Sequence, residues 1–271
     1  MRQKTNSFLD LCIKPSPLAG QVIYHEDARA LVAKACDGIG ISSKIFARDQ
    51  EGKTLNGASS DFNGKPDGYG HPPIITFGQA EGGVRMYGIG REGMNILLEQ
   101  SPTILKALSE HLGGSVSVET KMGALDLDRD DDGQVKMAPV AYRIKTLVVA
   151  KKKNQIDAIL NGKQPTLEAM TPAIIREIER GILSFTDMLD REGVMLDVPL
   201  NLNIRVSGGK PVWVPVKEIK NGSNGIKVSA LAVRNLEFTM SAGLQGPWLA
   251  GHLRSRGFGL IRKAIKEWKH A

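Results

Sequence analysis

The chain has 271 residues, 41% of them hydrophobic, and carries 36 Lys and Arg against 29 Asp and Glu for a net charge of +7. That length buries a sizeable core without covalent staples, and the two cysteines, Cys12 and Cys36, exclude a disulfide scaffold or a cysteine-built zinc or iron–sulfur site. Asp10 interrupts the apolar run Phe8–Ile13, so neither a signal peptide nor a membrane span is read, and a cytoplasmic protein with no membrane partner is expected. The charge is uneven. Residues 201–271 hold 12 Lys and Arg but only three acids (Glu218, Glu237, Glu267), a balance of +9 that leaves the first 200 residues at −2. A basic quarter on a near-neutral body fits a polyanion-binding surface or a solvated basic tail.

In chain order, Phe8–Ile13 reads as a strand. Ala28, Leu31, Val32, Ala35 and Cys36 follow helical spacing, with Gly38 as the stop. Ile41–Arg48 reads as a strand, and residues 49–73, rich in Gly, Asn, Asp, Ser and Pro, as a long exposed loop. Ile74–Phe77 and Val84–Tyr87 are predicted strands. Met94, Leu97, Leu98, Ile104, Leu105 and Leu108 form a helical stripe that Pro102 is expected to split, with Ser101 capping the second piece. Ser115–Ala150 returns to strand, with a turn at Asp130–Gly133. Thr171-Pro172 predicts the start of a helix lined by Ile174, Ile175, Ile178, Ile182, Phe185 and Leu189, which Gly193 ends. Strands at Asn203–Val206, Pro211–Val216 and Ile226–Met240 follow, then a Gly-rich loop, a strand at Phe258–Ile261 and a basic terminal helix. The order gives an α+β fold with a seam between residues 145 and 165.

Several motifs have bland readings. Gly88-Ile89-Gly90-Arg91-Glu92-Gly93 matches a dinucleotide-binding glycine pattern, but no alternating strand–helix series surrounds it, so a tight strand-to-helix turn is the better reading. Asp128–Gly133 resembles half of a calcium loop, yet position twelve is Pro139 where a bidentate Glu is needed. His25, His71, His111, His252 and His270 show no ligand spacing, so no metal site is expected. Lys151-Lys152-Lys153 stands at a helix start, where positive charge is disfavoured; it is either a solvated turn or part of a polyanion contact.

Two features in distant parts of the chain fit together. Tyr24-His25 enters the first helix, and Arg29, one turn on, shares its face with His25. A histidine moves protons near neutrality, and an arginine neutralises charge developing on phosphorus. The second feature is the run Ala242–Ile261, which closes on Arg254-Ser255-Arg256-Gly257-Phe258-Gly259. Closely spaced glycines let backbone approach a ligand, and the arginines suit phosphate. This run resembles the signature of the CRISPR-associated RAMP superfamily, and Tyr24-His25 after a first strand is similar to its repeat-cleaving endoribonucleases. The helical stretches and arginine content resemble the processing nuclease of type IV systems.

The resemblance implies two tandem ferredoxin-like, RRM-related domains with inserted helices, set here at 1–150 and 151–271. It implies no cofactor, CRISPR repeat RNA and mature guide RNA as partners together with other effector-complex subunits, and metal-independent cleavage by ribose 2′-OH attack. His25 would be the general base or acid, Tyr24 an orienting group or proton donor, and Arg29 the charge stabiliser, with Arg48 a second candidate cation. Arg254, Ser255, Arg256 and Gly257 would meet RNA, helped by Arg234, Arg262, Lys263 and Lys151–Lys153. The other reading in the same superfamily is a non-catalytic subunit that binds and caps guide RNA.

Overall fold

The computed structural model describes residues 6–46, 72–199, 201–218 and 226–264. Its first half runs β1 (Phe8–Pro15), α1 (His25–Ala35), β2 (Ile75–Gly78), β3 (Val84–Ile89), α2 (Gly90–Leu112) and β4 (Val116–Gly123). These strands form an antiparallel sheet in the order β2-β3-β1-β4. Alternation along β1 decides its faces: Leu9, Leu11 and Ile13 join Val84 and Met86 in a core against α1 and α2, while Asp10, Cys12 and Lys14 take the helix-free face.

The second half runs β5 (Met137–Ala150), α3 (Lys153–Leu160), α4 (Leu167–Arg191), β6 (Arg205–Glu218), β7 (Ile226–Ala242) and β8 (Ile261–Lys263). Its sheet order, β8-β5-β7-β6, repeats the first in its own strands. Both halves are therefore ferredoxin-like, as expected. Among the described residues, however, no α-helix joins β7 to β8, and the Gly-rich loop takes that place. Ile174, Ile178, Ile182, Phe185 and Leu189 of α4 are fully buried against the second sheet. That core also holds Phe8, Tyr87 and Ile89 from the first sheet, so the two halves share apolar contact. The sheets divide earlier than residue 150, because β5 pairs with β7 and β8 of the second sheet.

Five sequence expectations differ, the first being the last strand, read at Phe258–Ile261 and found at Ile261–Lys263 because the left-handed Gly257 and Gly259 keep Phe258 in the turn. In the stretch read as a strand over Ile41–Arg48, the described residues 41–46 hold no strand: Ser43–Phe46 is a short 3-10 turn, and Arg48 lies outside the described residues, as do most of the 49–73 loop and the terminal helix. Pro102 does not split α2. Proline removes the N–H that Leu98 O would accept, and the Ser101 hydroxyl donates to that carbonyl instead at 3.0 Å. α4 starts at Leu167, not at Thr171-Pro172, because the Thr166 hydroxyl accepts from Ala169 N at 3.2 Å and sets the cap a turn earlier. The two predicted strands 203–206 and 211–216 are one, β6, which tolerates Pro211 and Pro215 as the edge of its sheet.

The bland motif readings have structural causes. A Cβ on Gly88 or Gly93 would strike the backbone of Gly93 or Ile74, so these glycines serve strand–helix packing. The anion position at the start of α2 is filled from within, since Glu192 Oε1 accepts from Arg91 N at 2.8 Å. In the aspartate run, Asp130 Oδ1 is spent on the N–H groups of Asp132 and Gln134, a turn rather than an ion cradle. Among the described residues no helix is long and apolar enough to cross a membrane.

Candidate active site

Tyr24 has extended backbone (φ −79°, ψ 158°) and no side-chain cap, so the chain turns into α1 at His25. The Gly-rich loop is laid against this helix start. Trp248, fully buried, anchors the loop by donating from Nε1 to Gln245 O at 2.7 Å. Arg254–Arg256 make one 3-10 turn that ends at Gly257, with φ +90°. A Cβ there would overlap Phe77 O and the His25 side chain, so only glycine permits the approach. Thr76 Oγ1 donates to Arg254 O at 2.6 Å and stitches the turn to β2. Phe258 then meets the His25 imidazole edge-on, with ring centroids 4.8 Å apart and planes at 74°.

The imidazole is desolvated. Burial, then the nearby positive charges of Lys145 and Arg262, pull its pKa from 6.5 to about 4 against the opposing effect of Asp27. His25 Nε2 is buried with no hydrogen-bond partner among the described residues. At neutral pH it is therefore a neutral ring with an uncommitted nitrogen.

Lys145 completes the group, and no motif points to it. On β5 the inward residues are Tyr142 and Ile144, so Arg143 and Lys145 face outward. Lys145 Nζ lies 3.4 Å from the centroid of the Tyr24 ring and donates to Gln79 Oε1 at 3.1 Å. Desolvation and the charges of Arg262 and Arg234 lower its pKa. Strand alternation exposes Lys145 to the reader of a sequence, but only the tertiary fold shows that this face meets Tyr24.

The other candidates separate. Arg29 Nη2 donates to Phe46 O at 3.1 Å, and its guanidinium stacks on the Phe46 ring at 5.6 Å, so it braces the 3-10 turn. Arg254 turns inward, donating from Nη1 to Ser184 Oγ at 2.7 Å, and burial lowers its pKa to about 10. Ser255 and Arg256 are half-buried, and Arg256 favours the charged form of Glu26. Arg234 and Arg262 are exposed, whereas Lys263 pairs with Asp128 at 2.6 Å. Lys151 and Lys152 flank the start of α3 and act on His252, whose pKa burial lowers to about 4; Lys153 opens α3 in the open. A polar group that no motif announces lies beneath them: buried Glu177 holds Arg180 at 3.2 Å and has His252 at 4.0 Å.

Tandem sheets of this order, a glycine loop laid on a helix start and a histidine beneath it define a RAMP-type protein. The fold matches a solved structure of Csf5, a CRISPR–Cas type IV Cas6 crRNA endonuclease, with a TM-score of 0.64, at 20% identity over 95% of this chain and all of that one. A crystal structure of Cas6b matches with a TM-score of 0.56, at 18% identity over 95% of this chain and all of that one. No curated protein sequence matches. The family model for the type IV CRISPR-associated endonuclease Csf5 matches residues 1–266, and the chain belongs to that family.

Proposed function

We propose that this protein matures CRISPR RNA by cutting one phosphodiester beside a repeat hairpin without a metal ion, using the RNA's own 2′-OH. The observation that carries this reading is the neutral His25 imidazole, Nε2 uncommitted, held beside Lys145 and Tyr24 under the Gly257-Phe258 turn. His25 Nε2 takes the 2′-OH proton, the 2′-oxygen attacks phosphorus, and the P–O5′ bond breaks. Lys145 gives the proton to the leaving 5′-oxygen, and its lowered pKa makes it a better donor than an ordinary lysine. The products are a 2′,3′-cyclic phosphate and a 5′-hydroxyl. Tyr24 holds the ammonium in place. Nε2 is covered in the RNA-free protein, so productive binding opens the first turn of α1 locally.

Exposed Arg234, Arg262 and Lys152 give the bound hairpin its phosphate contacts in this reading, and the cleaved guide RNA stays bound for hand-over to other effector subunits in the cytoplasm. The test is single-turnover cleavage of a repeat hairpin. His25→Ala should slow the step about 100-fold or more and Lys145→Ala about tenfold, each with RNA affinity within about twofold of wild type. Rates within twofold of wild type for both variants would remove this site.

A further inference from the structure

One charged pair on the helix-free face of the first sheet is unexplained by cleavage. Asp10 lies on β1, and Arg85 on the neighbouring strand β3, where Asp10 faces Tyr87 and Cys12 faces Arg85 in register. Arg85 Nε approaches Asp10 Oδ1 at 3.3 Å, with side chains 30% and 22% exposed. The contact is an ion pair without hydrogen-bond geometry: Asp10 Oδ1 and Arg85 Nε are both buried and neither has a hydrogen-bond partner among the described residues. Asp10 Oδ1 therefore holds unused bonding capacity, while the Arg85 guanidinium also donates to the Tyr87 hydroxyl beside it.

The surroundings sharpen the point. Arg85, Lys121 and Arg262 all favour the charged form of Asp10, and Arg262 acts on His25 and Lys145 as well, so the pair lies within electrostatic reach of the His25–Lys145 group. The row Thr76, Tyr87, Asp10, Lys121 crosses the sheet from the strand stitched to the Gly-rich loop. A carboxylate beside a site for a polyanion costs affinity for phosphate, which makes sense where it discriminates between sequences. β1 is a central strand, laddered on both sides, so Asp10 stands on a rigid base.

We propose that Asp10 and Arg85 read one unpaired nucleobase beside the cleaved phosphate, and that this base is guanine. A carboxylate offers two acceptor oxygens, and guanine alone presents two adjacent donors, N1–H and N2–H, with an acceptor, O6, beside them for the guanidinium. This proposal rests on the RNA-processing reading.

The experiment uses the full chain and a pool of hairpin RNAs randomised at the single-stranded nucleotides flanking the stem, with the bound fraction sequenced. Wild type should enrich guanine about tenfold or more at one flanking position, within what one bidentate base contact supplies. Asp10→Asn should abolish that enrichment while binding the pool at least as tightly, which also shows that it is folded. Arg85→Gln should weaken enrichment at the same position. Wild-type binding without enrichment, or the same guanine preference in both variants, would overturn the base reading alone. No binding of any hairpin by wild type would overturn the RNA-processing reading and this proposal with it.

Discussion

His25 and Lys145 divide the proton transfers by environment. Burial and two cations keep His25 neutral at every pH above about 4. On this account the rate of bound RNA changes little from about pH 5 to 8 and falls only toward pH 4, as the base is lost. On the alkaline side it declines sooner than an ordinary lysine would dictate, since the pKa of Lys145 is lowered. A loss centred near 6.5 would contradict the desolvated imidazole. The same burial has a stability consequence. His25 and His252 both titrate near 4 in the folded protein against an ordinary value of 6.5. Between those values the unfolded chain binds more protons, so their contribution to stability rises with pH across the window and is lost on acidification through it. Asp10, Glu26 and Glu177, whose pKa values burial raises, act with the opposite sign, so the informative quantity is a difference. The Tm drop from pH 6.5 to 4.5 should be smaller in His25→Asn/His252→Asn than in wild type.

At the scale of elements, the sequence exposed periodic structure and concealed local repairs. The stripe on α4 and the alternation on β1 follow from apolar spacing alone, and both stand in the structure. Pro102 misleads because a neighbouring hydroxyl, Ser101, takes over the carbonyl that the proline strands. Thr171-Pro172 misleads because Thr166 makes a better cap one turn earlier. The glycine pattern at 88–93 looks like a phosphate loop because the backbone geometry is similar; a carboxylate 101 residues from Arg91 in sequence, Glu192, sits where the phosphate would. Glu192→Ala should therefore destabilise the protein by about 1 kcal/mol, the size of a lost helix cap, without changing RNA affinity. Gly257→Ala tests the loop differently: the added methyl overlaps Phe77 O and His25 at a left-handed φ of +90°, so it should lower both Tm and cleavage rate. An unchanged rate would separate the loop from the site.

For the molecule as a whole, the basic excess of the last quarter is split between two tasks that composition cannot separate. Arg254 and Lys263 are tied into the protein by Ser184 and Asp128, whereas Arg234 and Arg262 remain exposed beside Lys145. Arg234→Ala/Arg262→Ala should flatten the dependence of log affinity on log salt by roughly 1.4, two single-strand phosphate contacts. Arg254→Ala should lower Tm with little change in that slope, because it removes a buried donor from Ser184 and a cation near Glu177 rather than an RNA contact. Tyr24, His25 and the glycine run were legible as residues with chemistry; Lys145 was not, because its role depends on the second sheet meeting Tyr24 from far along the chain. The most direct measurement of the central claim is cleavage in EDTA of a repeat hairpin and of the same hairpin with a 2′-deoxyribose at the cut. The first should be cut to a cyclic phosphate and the second bound but left intact. Cleavage of both would rule out the 2′-OH as nucleophile, and binding of both without cleavage would make the protein a capping subunit instead.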